Sequence, residues 1–336
     1  MKWTLMSRRA KVVITDLIAD PPDLERQELD DIADVVAIRA TKPADLIGNI
    51  EDADAIVLWH SLNFDRDTIN RLERCKLIVR GGVGVDNIDY AYARECGIDV
   101  ANVPDYGSEE VADTAVAMAL TMTRGISYLN SRLRAANGPW SHELVAPLQR
   151  LRGSVFAIVG LGRIGSATAL RAKALGMNVV FYDPYLPDGY DKALGISRAE
   201  SFEQILADAF VLSFHCPLTD QTRHMVNEEA IARMPRGSYL VNTARGAIMD
   251  TAALPDAIAT GQLAGAGIDV LEIEPPPDND PLICAWRDPN HPAHDRVLIN
   301  PHSAFYSTQG INDIRTKAAR ACRHAILGQP VRNIVN

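Results

Sequence analysis

The fold is decided by Ser154-Val155-Phe156-Ala157-Ile158-Val159-Gly160-Leu161-Gly162-Arg163-Ile164-Gly165. Its first half is an unbroken apolar run of strand length, the pattern of a strand covered on both faces. Its second half matches G-x-G-x-x-G, a weak signal by itself. Beyond it, Ile164, Ala167, Leu170 and Ala174 recur at helical spacing, and Gly176 suits the helix end. In this strand–turn–helix context each glycine has its own task. Gly160 permits the tight turn, Gly162 lets a pyrophosphate approach the backbone, and Gly165 allows close helix–strand packing. Arg163 and Ile164 open the helix, whose free N–H groups and positive dipole end suit phosphate. Asp183 ends the next strand, 18 residues after Gly165. A carboxylate at that distance bonds ribose hydroxyls and repels a 2′-phosphate, which favours NAD over NADP.

On both sides of this stretch, β-branched runs alternate with helical patterns, which predicts α/β units with parallel sheets. Strands are expected at Ser154–Gly160, Asn178–Tyr182, Ala209–Phe214, Ser238–Asn242, Gly265–Val270 and Val297–Asn300. Helices are expected at Ile164–Leu175, Phe202–Ala207, Glu228–Arg233 and Thr251–Thr260. Six strands with crossover helices make a complete dinucleotide-binding domain. Upstream, an earlier series reads Lys11–Thr15, Ala53–Trp59, Lys76–Arg80 and a shorter Ile98–Asn102, with helix fitting Asp65–Arg74. Between the two series, Val111–Thr123 is apolar or small except for Asp113, so it is a helix buried on more than one face. The segment Ser307–Leu327 puts Ile311, Ile314, Ala318, Ala321 and Ala325 on one helical face. The proline-rich residues 275–296 read as a long loop, either functional, as a lid or part of a subunit contact, or disordered.

Composition narrows the function classes. The chain has 336 residues, 47% hydrophobic and 23% charged, which suits two globular domains and excludes dominant disorder. With 34 basic against 43 acidic residues the net charge is −9, so no nucleic-acid partner is expected. An anionic small substrate remains compatible, because one arginine reverses the field locally. Five scattered cysteines without C-x-x-C point to a reducing, cytoplasmic setting. No run reaches the roughly 18 apolar residues of a membrane span, and the N-terminus lacks a secretory apolar core.

Further motifs follow in order: Gly82-Val83-Gly84-Val85-Asp86-Asn87-Ile88-Asp89, the glycine fingerprint, His215-Cys216-Pro217-Leu218-Thr219, Val241-Asn242-Thr243-Ala244-Arg245-Gly246, Gly267-Ile268-Asp269-Val270, Glu274-Pro275 and Asn300-Pro301-His302. With them the chain resembles the D-isomer-specific 2-hydroxyacid dehydrogenase family over essentially its whole length. Leu58-Trp59-His60-Ser61, Leu170–Leu175, Phe181-Tyr182-Asp183-Pro184-Tyr185 and Ala304-Phe305-Tyr306-Ser307 are most similar to its C-terminal-binding protein branch.

The resemblance implies a Rossmann NAD-binding domain, residues 106–302, inserted in a flavodoxin-like substrate domain, residues 1–105 and 303–336. It implies a site in the cleft, hinge closure that excludes water, and a homodimer built on the helix after Ser108. It also implies a catalytic set of Arg245, Glu274 and His302. The chemistry explains those residue types. Reducing a 2-keto acid adds hydride at C2 and a proton at the carbonyl oxygen, and histidine is the natural proton donor near neutral pH. A carboxylate on the other ring nitrogen orients the ring and favours imidazolium. Arginine offers a permanent charge and a planar fork to the substrate carboxylate and carbonyl.

By the same resemblance, the backbone at Val83 and Gly84 holds the substrate carboxylate. His60 and Phe305 face the substrate. Asp269 lies near the nicotinamide carboxamide with Thr243 and Ala244, and His215, Cys216, Pro217 and Thr222 cover the adenosine side. Cys216 reads as a packed residue rather than a nucleophile. No metal site is expected: His291 and His294 have no third ligand, and proline interrupts their spacing. His224 and His324 read as surface or packing residues.

Glu274 stands where the formate dehydrogenase branch has glutamine, and no C-terminal regulatory domain of the serine-pathway phosphoglycerate branch is expected. Phe305 replaces a tryptophan and Val83 a serine of the C-terminal-binding proteins, which leaves the substrate open. Two other readings stay compatible: an NAD(H)-sensing, corepressor-like binding protein, and an oxidant of an unusual anion such as phosphite.

Overall fold

The computed structural model describes residues 8–18, 21–145 and 147–336. It divides into two compact units: the described residues up to Gly107 with Tyr306–Asn336, and Ser108–Phe305.

In the first unit, β1 (Ala10–Ile14), β2 (Ala33–Ala37), β3 (Ala55–Leu58), β4 (Leu77–Arg80) and β5 (Asp99–Asn102) form a parallel sheet in the order β2-β1-β3-β4-β5. This is the flavodoxin-like order. β3 and β4 are buried at every position, as a sheet covered on both faces requires. One face, with Val12, Ile14, Val57, Val79 and Ala101, packs against Ile314, Ala318, Ala319 and Cys322 of the helix Thr308–Ile326. The other, with Val13, Ile56, Leu58, Ile78 and Val100, packs against Leu46, Ile50, Phe64 and Ile69. Ser307 caps the long helix by accepting from the Gly310 N–H at 2.8 Å. Arg315 pairs in bidentate fashion with the buried Glu25 at 2.7 Å, tying that helix to Asp23–Leu29.

Two expectations for this unit need correcting. β2 was not anticipated: it is an edge strand that carries Asp34 and exposes alternate residues, so its apolar signal is diluted. The helix in Asp65–Arg74 is only Arg66–Ile69, started by an Asp65 cap that accepts from the Thr68 N–H at 2.9 Å.

In the second unit, β6 (Val155–Val159), β7 (Asn178–Tyr182), β8 (Ser197–Arg198), β9 (Val211–Phe214), β10 (Ser238–Asn242), β11 (Leu263–Ile268) and β12 (Val297–Ile299) form a parallel sheet, ordered β12-β11-β10-β9-β6-β7-β8. The order reverses between β6 and β9, the switch point of a doubly wound sheet. The expected six strands are joined by a seventh, β8, whose two residues are too short to leave a periodic signal. The apolar helix Ser108–Thr123 lies on the helix Arg163–Ala174 and on β10 and β11. Its approach explains Gly267 of β11: a Cβ there would stand 2.9 Å from the Met118 Cβ. Ala115, Met118, Ala119 and Met122 share a core with Phe156, Ile158 and Val241.

The segment 275–296 is not the uninterrupted loop expected. It folds into a helix, Pro281–Arg287, capped by Asp280, which accepts from the Ile283 N–H at 3.0 Å. Leu282, Ile283 and Ala293 are buried in the core of this unit. Proline at the first helical position is compatible with a helix start, and the density of prolines hid that start. Likewise Thr251–Thr260 splits into a 3₁₀ turn, Thr251–Ala253, and a helix, Leu254–Ala259. Among the described residues no helix is long and apolar enough to cross a membrane.

Candidate functional site

Register builds the candidate site in the second unit. Val159 is opposite Tyr182 and Phe214, Asn242 is opposite Phe214 and Ile268, and Ile268 is opposite Ile299. All seven strands point the same way. The residues that follow them, Gly160, Asp183, His215, Thr243, Asp269 and Asn300–His302, therefore share one sheet edge. This is the carboxyl edge, where open α/β sheets bind ligands.

At the centre of the edge the three fingerprint glycines face three different surroundings. Gly160 has φ +88°, and a Cβ there would stand 2.7 Å from the Cys216 nitrogen. A Cβ at Gly165 would stand 2.1 Å from the Gly160 carbonyl oxygen. At Gly162 an added Cβ meets nothing within 4 Å. Two glycines are thus required by the protein's own packing. The third leaves open space at the start of the 12-residue helix Arg163–Ala174, a cradle that fits a pyrophosphate. Arg163 is exposed and Ile164 partly buried in its first turn. The Asp183 carboxylate accepts from the Leu161 N–H at 2.9 Å and the Tyr185 N–H at 3.0 Å, which fixes it beside the cradle.

Two buried polar atoms at this edge have no protein partner among the described residues: His215 Nδ1 and Thr243 Oγ1. Such atoms are costly unless a ligand or water satisfies them. Burial pushes the His215 imidazole down to about 3, so the ring is neutral, with Nε2 2.9 Å from Ser213 Oγ. Burial also pushes the Cys216 thiol up to about 12, which keeps it protonated and unreactive. Pro217 and Thr222 close a compact turn, with Thr222 Oγ1 donating to the Pro217 carbonyl at 2.8 Å. Together the open cradle, the fixed carboxylate and the two unsatisfied atoms fit a dinucleotide.

The other half of the edge holds the expected acid, base and cation. The Asn242 side chain, fully buried, ties the turn after β10: it accepts from the Ala244 N–H at 3.0 Å and donates to the Arg245 carbonyl at 2.9 Å. Arg245 in turn donates to the Ala244 carbonyl at 2.7 Å. His302 Nδ1 lies 2.7 Å from Glu274 Oε2, and Glu274 Oε1 accepts from the Leu271 N–H at 2.8 Å. His302 adopts φ +52°, a conformation L residues rarely take. Asp269 holds it there. Its carbonyl accepts from the His302 N–H at 2.8 Å, and its carboxylate accepts from the Ser303 and Ala304 N–H groups at 3.0 Å. Burial pushes the Asp269 carboxyl up, against the pull of those two amides. The Phe305 ring stands edge-on to the His302 ring at 6.2 Å.

The sequence reading missed the roles of Asn242, Asp269 and Ser213 as supports. For Asp269 and Asn242 the partners are backbone amides and carbonyls, which carry no residue signature.

His60, Val83 and Gly84 belong to the first unit, after β3 and β4. The turn bearing His60 is held by Asp16, which is 1% exposed and accepts from the Trp59 N–H at 2.9 Å and the Ser61 N–H at 3.1 Å. Asn87 donates to the Trp59 and Leu62 carbonyls at 2.8 and 2.7 Å. Val83 is exposed, and its carbonyl accepts from Asn102 at 2.6 Å. His291 and His294 order their own loop: His291 Nδ1 accepts from the Ala293 N–H at 3.1 Å, and His294 Nδ1 is 2.7 Å from the Trp286 carbonyl.

Comparison with known proteins fits this geometry. Residues 116–304 match the model of the D-isomer specific 2-hydroxyacid dehydrogenase, NAD binding domain. Over 97% of the chain the sequence is 34% identical to D-3-phosphoglycerate dehydrogenase of Methanocaldococcus jannaschii, of whose length it spans 59%. The structure of D-lactate dehydrogenase from Aquifex aeolicus, complexed with NAD and lactic acid, is similar with a TM-score of 0.83 and 28% identity, over 94% of this chain and 96% of that one. A glyoxylate reductase from Paecilomyes thermophila is similar with a TM-score of 0.83 and 27% identity, over 98% and 99% of the two chains. With the fingerprint, the strand order and these likenesses in agreement, the chain belongs to the D-isomer specific 2-hydroxyacid dehydrogenase family.

Proposed function

We propose that this chain is an NAD-dependent D-2-hydroxyacid dehydrogenase, acting as a 2-keto acid reductase in one direction. The observation that carries the reading is the His302–Glu274 hydrogen bond of 2.7 Å, on the same sheet edge as the open cradle at Gly162. Bound NADH supplies the hydride that reaches C2 of the keto acid. His302 passes a proton from its second ring nitrogen to the carbonyl oxygen, while Glu274 keeps Nδ1 as the bonded nitrogen and orients the ring. Arg245 receives the substrate carboxylate and polarises the carbonyl. Asp183 takes the adenosine ribose, the Gly160–Gly165 loop the pyrophosphate, and His215, Cys216, Pro217 and Thr222 the adenosine side. Thr243, Ala244 and Asp269 line the nicotinamide end. The first unit is assigned to substrate recognition through His60, Val83 and Gly84, with Phe305 bounding the side-chain pocket. The substrate class is a small anionic 2-keto or 2-hydroxy acid. The assembly is a homodimer, and the setting is cytoplasmic.

NADH oxidation across a panel of 2-keto acids tests the reading. Turnover is expected with at least one. His302→Ala is expected to remove it by at least about 10²-fold, the lower range for a general acid, with NADH affinity nearly unchanged. A variant that keeps most of its kcat would sink the assignment. Asp183→Ala should weaken NADH while leaving NADPH equal or improved, read as the ratio of the two dissociation constants; an unchanged ratio removes Asp183 from the ribose.

A further inference from the structure

The loop between β11 and Glu274 has a second anchor that the proposed chemistry does not use. Glu272 Oε1 accepts from Arg223 Nη1 at 2.8 Å, and Glu272 Oε2 lies 2.8 Å from His224 Nε2. Arg223 and His224 are consecutive, on the segment after the His215–Thr222 turn. His224 takes φ +49°, a left-handed conformation that costs a non-glycine residue on the order of 1 kcal/mol. In that conformation its N–H donates to the Ala247 carbonyl at 2.8 Å while its ring meets Glu272. Below the same loop, Gly246 is pressed against it: a Cβ there would stand 2.0 Å from the Leu271 carbonyl carbon and 2.3 Å from the Glu272 nitrogen. The loop is therefore clamped from two directions, by Gly246 of the β10 turn and by the Arg223–His224 pair.

The clamped backbone is the one that holds the acid. Leu271, directly before Glu272, gives its N–H to Glu274 Oε1, and Glu274 Oε2 is on His302 Nδ1. An error in the Leu271–Glu272 backbone passes through one hydrogen bond to Glu274 and through a second to the His302 ring. As isolated surface ion pairs, Arg223–Glu272 and His224–Glu272 would stabilise the fold by only about 0–1 kcal/mol, with side chains 42–50% exposed. Stability does not account for a two-partner clamp with a left-handed histidine at this place. Position does, because misplacing a reacting group by an ångström can cost about 10²-fold in rate.

We propose that Glu272 is a positioning residue for the His302–Glu274 pair, held by Arg223 and His224 and acting through the Leu271 amide. The inference rests on the function proposed above for that pair. Glu274 and Asp269 lie beside His302, and Glu272 faces Arg223 and His224.

The test uses the sign of the charge. If Glu272 and Arg223 acted on the reaction through their charges alone, Glu272→Gln and Arg223→Gln would move kcat in opposite directions. A positioning role lowers kcat in both, by roughly tenfold, with NADH affinity and thermal midpoint nearly unchanged. Arg223→Lys, which keeps a donor, should retain most of the rate. A second readout needs no substrate: the downfield proton resonance of the His302 Nδ1–H bonded to Glu274, identified by its loss in Glu274→Gln. It should shift or broaden in both glutamine variants. A resonance unchanged in both overturns the proposal, as do opposite changes in kcat. A wild-type protein that reduces no 2-keto acid, yet whose resonance depends on Glu272, sinks the proposed function and leaves the positioning role. An active protein whose resonance ignores Glu272 does the reverse.

Discussion

His215 is a neutral histidine on the edge proposed to hold the cofactor. Its pKa in the folded state, about 3, lies below the ordinary value of about 6.5. Between those limits the unfolded chain binds a proton that the folded chain does not. Stability therefore falls as pH drops from about 6.5 towards 3, by up to about 1.4 kcal/mol per pH unit from this group. His215→Gln keeps a polar group near Ser213 and does not titrate, so urea unfolding measured down this range should give a shallower acid decline for the variant. Identical slopes would mean that the ring is solvated. At this scale residue types were legible and supports were not. Asp183, Arg245, Glu274 and His302 stand out as charged or titratable residues after apolar strands. Nothing in the letters says that Asp269 spends its carboxylate on the amides of Ser303 and Ala304.

Among the elements, the turn from β6 into the helix Arg163–Ala174 separates two kinds of glycine, and substitution should separate them too. Gly165→Ala drives a Cβ into the Gly160 carbonyl and should destabilise the unit by about 1–3 kcal/mol, with loss of NADH binding. Gly162→Ala meets open space, so the thermal midpoint should hold while NADH weakens. Calorimetry and fluorescence titration of the two variants check this, and a folding defect at Gly162 would refute the cradle. Elements with a strong period were legible to the residue, as for Asn178–Tyr182 and Ser238–Asn242. The failures have physical causes: β2 is a half-exposed edge, β8 has two residues, and Pro281 disguises a helix start as loop.

For the whole molecule, the helix Ile126–Arg134 leaves Ile126 56% and Leu133 36% exposed, and Trp140 is 91% exposed. Apolar surface of this kind marks association sites. Sedimentation should therefore give twice the chain mass, and Trp140→Ser should shift the protein towards monomer; a monomeric wild type removes the dimer. The alternation of strands and helices made both sheets legible. The packing of Thr308–Ile326 onto the first sheet was legible only through the family resemblance, because a helix's apolar face does not say which sheet it covers. That packing has a consequence for synthesis. Roughly 200 residues separate Asn102, the end of the first sheet, from Ile314, which covers it. At about 5–20 residues per second, a ribosome needs roughly 10–40 s to make them. Throughout that interval Val57, Val79 and Ala101 lack the cover of Ile314 and Ala318, with only Leu29 of the helix Asp23–Leu29 already on that face, so the nascent chain is at its most sticky, and most in need of a chaperone, while its second half is still being made.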